Sequence, residues 1–204
     1  LIAVSNLNQG QKEQIHTVIN ELAKEGYRVL GVGETNFTGI DYPIKQQDFQ
    51  FQFNGIVAFY DPPKKNIQSV FDAFHQAGIK VKIVTGDNAA TTAAIAKEIG
   101  FRGYEKSISG DELMSLGVNE LKERVQTTNI FSRMFPEAKL KIINAFKANG
   151  EIVAMTGDGV NDAPALAEAE IGIAVGSGTD VAAETADIIL VESNPQDILK
   201  LVQF

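Results

Sequence analysis

Apolar residues recur at two spacings along this chain of 204 residues, and the two spacings alternate. Runs with helical spacing end at glycines, which is typical of helix C-termini: Gly26, Gly78, Gly100 and Gly150. Short apolar runs between them have the composition of strands: 27–32, 55–60, 79–84, 152–155, 171–175 and 188–191. This alternation predicts an α/β fold in which a doubly wound parallel sheet carries helices on both faces.

The first part of the chain predicts an incomplete α+β segment before that sheet. A helix that ends at Gly26 is followed by a strand, a polar loop and the alternating residues Phe49, Phe51 and Phe53. We therefore expect two domains, 1–53 and 54–204. Asp61-Pro62-Pro63 predicts the start of a helix and a stiff hinge between the segments, because proline fixes φ. A plain N-cap with proline in the first helical turn describes the same geometry without a hinge role.

Composition excludes several classes of function. Without cysteine the chain has neither disulfides nor thiolate chemistry, and a net charge of −8 argues against a nucleic-acid surface. His16 and His75 lie far apart in helical patterns, which favours solvated residues over metal ligands. No apolar run approaches the roughly 18 residues of a membrane span. The start at Leu1 and the helical pattern at 201–204 lead us to expect a piece of a longer polypeptide.

The segment Thr156 to Leu166, Thr-Gly-Asp-Gly-Val-Asn-Asp-Ala-Pro-Ala-Leu, follows the predicted strand 152–155 and leads into a helix. Gly157 lets the backbone approach a ligand closely, and Asp158 and Asp162 can converge on one point. Two such carboxylates favour a divalent cation with oxygen ligands, most readily Mg²⁺. The alternative is a helix N-terminus that carries capping acids.

Thr85-Gly86-Asp87 repeats this setting, because it also ends an apolar strand and opens a helix, for which Asn88 is the predicted N-cap. A doubly wound sheet brings such turns to the same edge. The two turns could therefore frame a phosphate and its metal.

Four segments in this order resemble the phosphorylation domain of P-type cation-transporting ATPases: Asp61 to Lys64, Thr85 to Asp87, Arg133 to Lys139, and Thr156 to Leu166. The resemblance covers about 53–204 and is strongest to the calcium, sodium and potassium pumps. Residues 1–52 resemble, more weakly, the end of the nucleotide-binding domain of these pumps. The family is part of the haloacid-dehalogenase-like superfamily, in which an aspartate forms an aspartyl-phosphate with the help of Mg²⁺ and a lysine.

The resemblance implies a role for each matching residue. Thr85 corresponds to the hydroxyl that bonds the transferring phosphoryl group, and Lys139 to the lysine that neutralises its oxygens. Asp158 corresponds to the Mg²⁺ ligand, with Asn161 and Asp162 supporting it. The nucleotide side of the site is implied for Arg28, Gly86, Asp87, Arg133 and Gly157.

Two of these residues have simpler alternatives. Lys139 falls in the first turn after Pro136, where the helix dipole disfavours a cation, so Glu137 could offset it and leave it solvated. Arg28 could be an ordinary arginine at a strand edge.

The chain departs from the family at the nucleophile, because none of its aspartates is followed by Lys-Thr-Gly. We expect a parent protein that hydrolyses ATP to transport a cation, and a chain that is inactive alone. The strand leading to the nucleophile would lie between 79–84 and 152–155. We expect these strands to close onto each other, or the gap to be filled by the N-terminal region or a neighbouring molecule.

Two other functions remain open: a soluble phosphatase of the same superfamily, and a nucleotide- or metal-binding module without catalysis. The resemblance implies ATP as the substrate of the parent protein and Mg²⁺ as cofactor. It also implies a cytoplasmic location, with membrane attachment only through other parts of the parent. Exposed sheet edges allow a homo-oligomer.

Overall fold

The computed structural model describes residues 1–192 and 194–202. The chain forms two compact units, Leu1–Pro62 and Pro63–Phe204. Among the described residues no helix combines the length and apolarity needed to cross a membrane. The part of the predicted final helix at 203–204 lies outside the described residues.

The first unit contains one long helix and a two-stranded antiparallel sheet. The helix α1 (Gln9–Lys24) begins at a capping box, in which Asn8 and Gln11 exchange hydrogen bonds between side chain and backbone. The strands β1 (Arg28–Glu34) and β2 (Gln52–Phe59) pair with each other. Short 3₁₀ helices lie at Ile2–Val4 and Gln46–Asp48. Because β2 pairs with β1, the compact unit extends beyond the predicted domain boundary after residue 53.

The junction at Asp61-Pro62-Pro63 coincides with the division between the two units. The prediction that these residues start a helix is wrong, because the next helix begins at Ile67 and its N-cap is Asn66. Pro63 disfavours helical geometry for the residue before it, which agrees with the non-helical backbone of residues 61–64.

Helices and strands alternate in the second unit, as predicted. Its strands are β3 (Ile83–Val84), β4 (Ser107–Ser109), β5 (Ile130–Ser132), β6 (Ala154–Gly157), β7 (Ile171–Val175) and β8 (Ile188–Leu190). Its helices are α2 (Ile67–Gln76), α3 (Ala89–Glu98), α4 (Gly110–Ser115), α5 (Val118–Thr127), α6 (Pro136–Lys147), α7 (Ala163–Glu168), α8 (Asp180–Thr185) and α9 (Gln196–Val202). The predicted N-cap of α3 is confirmed, since Asn88 accepts a hydrogen bond from Thr91 N. Strand β4 was not predicted.

All strand pairs in the second unit are parallel, which confirms the predicted α/β class. They form two separate sheets rather than one, with the orders β3-β5-β4 and β6-β7-β8. Within the described residues, β3 has no strand partner besides β5, and β6 has none besides β7. The prediction that β3 and β6 close onto each other, or that another part of this chain fills the gap, is therefore wrong.

Helix α6 contributes core residues to both sheets. Ile142 packs in the core beneath β5 with Phe131, whereas the next residue, Ile143, packs with Met155 of β6. Direct pairing would require β3 and β6 to lie about 4.8 Å apart. The structure instead packs each of the two sheets in its own core. Before the two strands, Lys80 and Glu151 form an ion pair at 3.1 Å.

Strands β3 and β6, which belong to separate sheets, differ from the predicted bounds: β3 is shorter, and β6 begins further along the chain. Only Ile83 and Val84 of the run 79–84 form ladder pairs, and β6 begins at Ala154 instead of Ile152. Ile152 is 83% exposed. Apolar sequence marks a segment as strand-forming, but a ladder needs a partner on at least one side.

Candidate active site at the carboxyl ends of the strands

The turns after β3 and β5 are joined by two backbone hydrogen bonds. Met134 N donates to Thr85 O at 2.9 Å, and Arg133 N donates to Asp87 O at 2.8 Å. The hydroxyl oxygen of Thr85 accepts from Asp87 N at 3.1 Å, so its own proton stays available for a ligand. The structure thus brings three predicted site residues, Thr85, Asp87 and Arg133, to one sheet edge.

Arg133 has a strained backbone, with φ of 51° in the left-handed region. Its N–H is held by Asp87, and its carbonyl lies so close to Gly110 that a side chain at Gly110 would collide with it. The side chain of Arg133 is exposed. Such strain persists only where the surroundings enforce it, and here the neighbouring turns do so.

Lys139 and Asp162 form a buried ion pair. The distance from Lys139 Nζ to Asp162 Oδ1 is 2.6 Å, and each side chain is 10% exposed. The second oxygen, Asp162 Oδ2, accepts from Gly159 N at 3.3 Å. The alternative in which Lys139 is solvated is therefore wrong: its charge is balanced by Asp162, a residue 23 positions away in sequence.

Gly157 leaves room for this pair. A Cβ added at Gly157 would lie 2.8 Å from Asp162 Cγ, so any side chain there would displace the carboxylate. The sequence predicted a close approach of Gly157 to a ligand, whereas the structure shows a close approach to Asp162. Gly86 differs, because a Cβ there would meet only Met134 O, at an ordinary 3.7 Å.

Asp158 follows β6 with an exposed side chain, and Asn161 is exposed nearby in sequence. Within the described residues the Asp158 carboxylate accepts no hydrogen bond and forms no ion pair. An exposed, unpaired carboxylate suits a hard cation that keeps most of its water. Asp162 is less suited to bind a cation, because both of its carboxylate oxygens already have protein partners. The described residues contain no group of three or more acidic, histidine or cysteine side chains that could hold a metal by themselves.

Arg28 lies in the first unit, exposed on β1 opposite Phe59. It is not among the residues that the second unit brings together. The first unit also contains an apolar cavity of about 530 Å³ between α1 and the hairpin, and this cavity includes none of the predicted site residues.

A comparison with protein-family models identifies the family of this chain. A model of haloacid dehalogenase-like hydrolases matches residues 7–170. The chain belongs to this family. The family's parallel α/β architecture agrees with the strands and helices described above, so the predicted superfamily is confirmed.

Cation-transporting ATPases are similar to this haloacid dehalogenase-like chain over most of its length. Calcium-transporting ATPase 1 of Saccharomyces cerevisiae is 36% identical over 202 residues, covering 97% of the chain and 21% of the yeast protein. The probable cation-transporting ATPase F of Mycobacterium bovis is 41% identical over 181 residues, covering 85% of the chain and 20% of that protein. The chain thus spans about a fifth of the length of these relatives.

A solved structure gives the same result. The crystal structure of a zinc-transporting PIB-type ATPase in the E2.Pi state is similar with a TM-score of 0.60 and 29% identity, covering 96% of this chain and 26% of that one. Together with the curated relatives, it confirms the resemblance to P-type cation-transporting ATPases that the motifs indicated.

Sequence reasoning missed the residues that hold this haloacid dehalogenase-like site in place. Gly110 packs against the carbonyl of Arg133, and Gly178 packs against the carbonyl of Asp158. The composition of Gly176-Ser177-Gly178 is typical of a turn. The sequence does not reveal the contact of this turn with Asp158, because the contact depends on the distance between two loops after neighbouring strands.

Proposed function

We propose that this chain is the metal- and lysine-bearing part of the phosphoryl-transfer site of an ATP-driven cation pump. The observation that carries this proposal is the buried Lys139–Asp162 pair at 2.6 Å. The pair keeps a cation in the first turn of α6, where the helix dipole would disfavour it. A lysine held in this way is preorganised to neutralise phosphoryl oxygens.

Each residue at the sheet edge has a role in this proposal. The Thr85 hydroxyl donates a hydrogen bond to the transferring phosphoryl group, and the ammonium group of Lys139 offsets the negative charge of that group. Asp158 binds Mg²⁺, which when bound stabilises the charge that develops on the phosphate oxygens. Asp162 acts on Lys139 rather than on the metal, and Asn161 supports the site. We assign nucleotide contacts to Gly86, Asp87, Arg133 and Gly157 at this edge, and separately to Arg28 of the first unit.

The proposal extends to the parent protein. There the aspartate nucleophile comes from outside these 204 residues, since no aspartate here precedes Lys-Thr-Gly. The first unit then belongs to a nucleotide-binding domain and the second to a phosphorylation domain, on the cytoplasmic side of a membrane. ATP hydrolysis through an aspartyl-phosphate is coupled there to cation transport.

A metal titration tests the assignment of Asp158. We expect Mn²⁺, a paramagnetic substitute for Mg²⁺, to broaden backbone amide signals around Asp158 with a dissociation constant on the order of millimolar, because one carboxylate and water form a sparse site. Asp158→Asn should weaken this binding and move the broadening to higher Mn²⁺ concentrations, because the cation loses its charged ligand. Asp111→Asn is the matched control, because it removes the same charge from an exposed residue of α4. An unchanged titration of Asp158→Asn would remove the metal site from the proposal.

A labelling experiment tests the missing nucleophile. Incubated with Mg²⁺ and ATP carrying a radioactive γ-phosphate, the chain should retain no label after acid precipitation, since the remaining groups cannot supply the covalent step. Acid-stable label on an aspartate of this chain would contradict the proposed division of the site.

A further inference from the structure

The loop Gly176 to Thr179, which joins β7 to α8, packs directly on the backbone of Asp158. Thr179 N donates to Asp158 O at 2.8 Å. A Cβ added at Gly178 would lie 2.7 Å from Asp158 O and 3.1 Å from Asp158 Cα. Backbone atoms cannot yield to such a contact as a flexible side chain could. Only glycine therefore fits at 178 without moving Asp158.

The same loop is fixed to the rest of the second unit at both of its ends. Gly176 N donates to Leu190 O at 2.7 Å, and Gly178 N donates to Val175 O at 2.8 Å. The Thr179 hydroxyl caps α8 by accepting from Ala182 N at 3.4 Å. Since β7 lies between β6 and β8, the loop has a rigid base from which to act on Asp158.

Asp158 needs an external restraint, because it lies between two glycines, Gly157 and Gly159, which give the backbone unusual freedom. Gly157 is packed against Asp162, and Gly159 N is bonded to the Asp162 carboxylate. These contacts fix the residues on either side of Asp158. The carbonyl of Asp158 itself is held by Thr179.

We propose that Gly178 and the N–H of Thr179 are positioning groups that set the direction of the Asp158 carboxylate toward its divalent cation. The inference rests on the proposed function, in which Asp158 is the metal ligand. Neither group touches the metal. They act by fixing the peptide from which the carboxylate projects, as outer contacts of metal ligands commonly do.

Two variants with matched controls test this inference in the full chain. Gly178→Ala adds a methyl group against Asp158, and Gly117→Ala adds one where no atom lies within 4 Å. Thr179→Pro removes the N–H and suits the backbone there, with φ of −77°. Thr179→Ala removes only the capping hydroxyl and keeps the N–H. Circular dichroism and thermal unfolding verify that each variant is folded.

The measured quantities are Mn²⁺ affinity, from broadening of the amide signals near Asp158, and hydrogen exchange of the Thr179 amide without metal. We expect Gly178→Ala and Thr179→Pro each to weaken Mn²⁺ binding by about tenfold or more. Gly178→Ala should also speed exchange at Thr179. Gly117→Ala and Thr179→Ala should stay within about twofold of the parent chain, since they leave the Thr179–Asp158 contact in place.

A double variant separates positioning from general destabilisation. If Gly178 acts through Asp158, Gly178→Ala adds no further loss of Mn²⁺ binding in an Asp158→Asn background. An additive loss, or parent-like affinity in a folded Gly178→Ala chain, overturns the inference. An equal loss of Mn²⁺ affinity in Thr179→Ala and Thr179→Pro also overturns the inference. If Asp158→Asn alone leaves Mn²⁺ binding unchanged, the metal assignment itself fails, whatever Gly178→Ala does.

Discussion

At the scale of single residues, the ion pairs of this fold differ most in how deeply they are buried. Lys139 and Asp162 are each 10% exposed in their side chains, whereas the Lys80–Glu151 pair is 75% and 39% exposed. Removing one partner of a buried pair leaves an uncompensated charge in a medium that solvates it poorly. Exposed pairs exchange their partner for water at little cost.

We therefore expect Lys139→Met to lower the free energy of unfolding by roughly 3–5 kcal/mol, because it leaves Asp162 buried without its cation. Lys80→Met should lower it by about 0–1 kcal/mol, because its pair is exposed. Urea denaturation of the two variants measures both values. The double change Lys139→Met and Asp162→Leu should regain much of the loss. Equal losses for Lys139→Met and Lys80→Met would show that the pair is not buried in solution.

At the scale of elements, the C-terminus of α5 is contacted by Lys82, which lies just before β3. Lys82 Nζ donates to Gln126 O at 3.1 Å, to Thr128 O at 2.6 Å and to Asn129 Oδ1 at 2.9 Å. These acceptors stabilise the ammonium ion. Burial nevertheless dominates, and together with the nearby charge of Lys80 it lowers the pKa of Lys82 below its ordinary value of 10.5.

The direction of this pKa shift predicts a pH dependence of stability. Between the lowered pKa of Lys82 and 10.5, the unfolded chain binds more protons than the folded chain, so the contribution of Lys82 to stability rises with pH. The free energy of unfolding of the parent chain, relative to Lys82→Met, should thus increase as the pH is raised from about 8 toward that upper limit.

Urea titrations at several pH values measure this difference. Lys97→Met serves as control, because Lys97 is an exposed residue near the end of α3. A difference between the parent chain and Lys82→Met that falls with rising pH would contradict the shift.

The whole molecule divides its core unequally between the two units. Among the described residues of the first unit, Ala23 alone is a buried apolar residue, whereas the described residues of the second unit form four apolar clusters that include Val70, Phe131, Met155 and Ile130. A domain with so little buried apolar surface cannot offset the entropy lost on folding.

We therefore expect residues 63–204 to fold without the first unit and to unfold cooperatively. Residues 1–62 alone should show the circular dichroism of a largely unordered chain, with residual helix from α1. Near-ultraviolet and far-ultraviolet spectra of the two pieces, with urea titrations, measure this. Cooperative unfolding of 1–62 by itself would contradict the argument.

The sequence by itself determined the class of fold and the chemistry of the candidate site. Spacing of apolar residues located most helices and strands, because side-chain burial repeats with the period of each element. The motifs at Thr85 and Asp158 were placed correctly at the carboxyl ends of strands. These are local properties, since a turn residue acts on the backbone that immediately follows it.

Only the tertiary structure decided which of these residues contact one another. The partner of Lys139 is Asp162 instead of Glu137, which is near Lys139 in sequence, and the backbone of Asp158 contacts Gly178 and Thr179. Strand partners were decided in the same way, since β3 and β6 belong to separate sheets. Such contacts join residues distant in sequence, so they depend on how α6 and the two sheets pack, which no local pattern encodes.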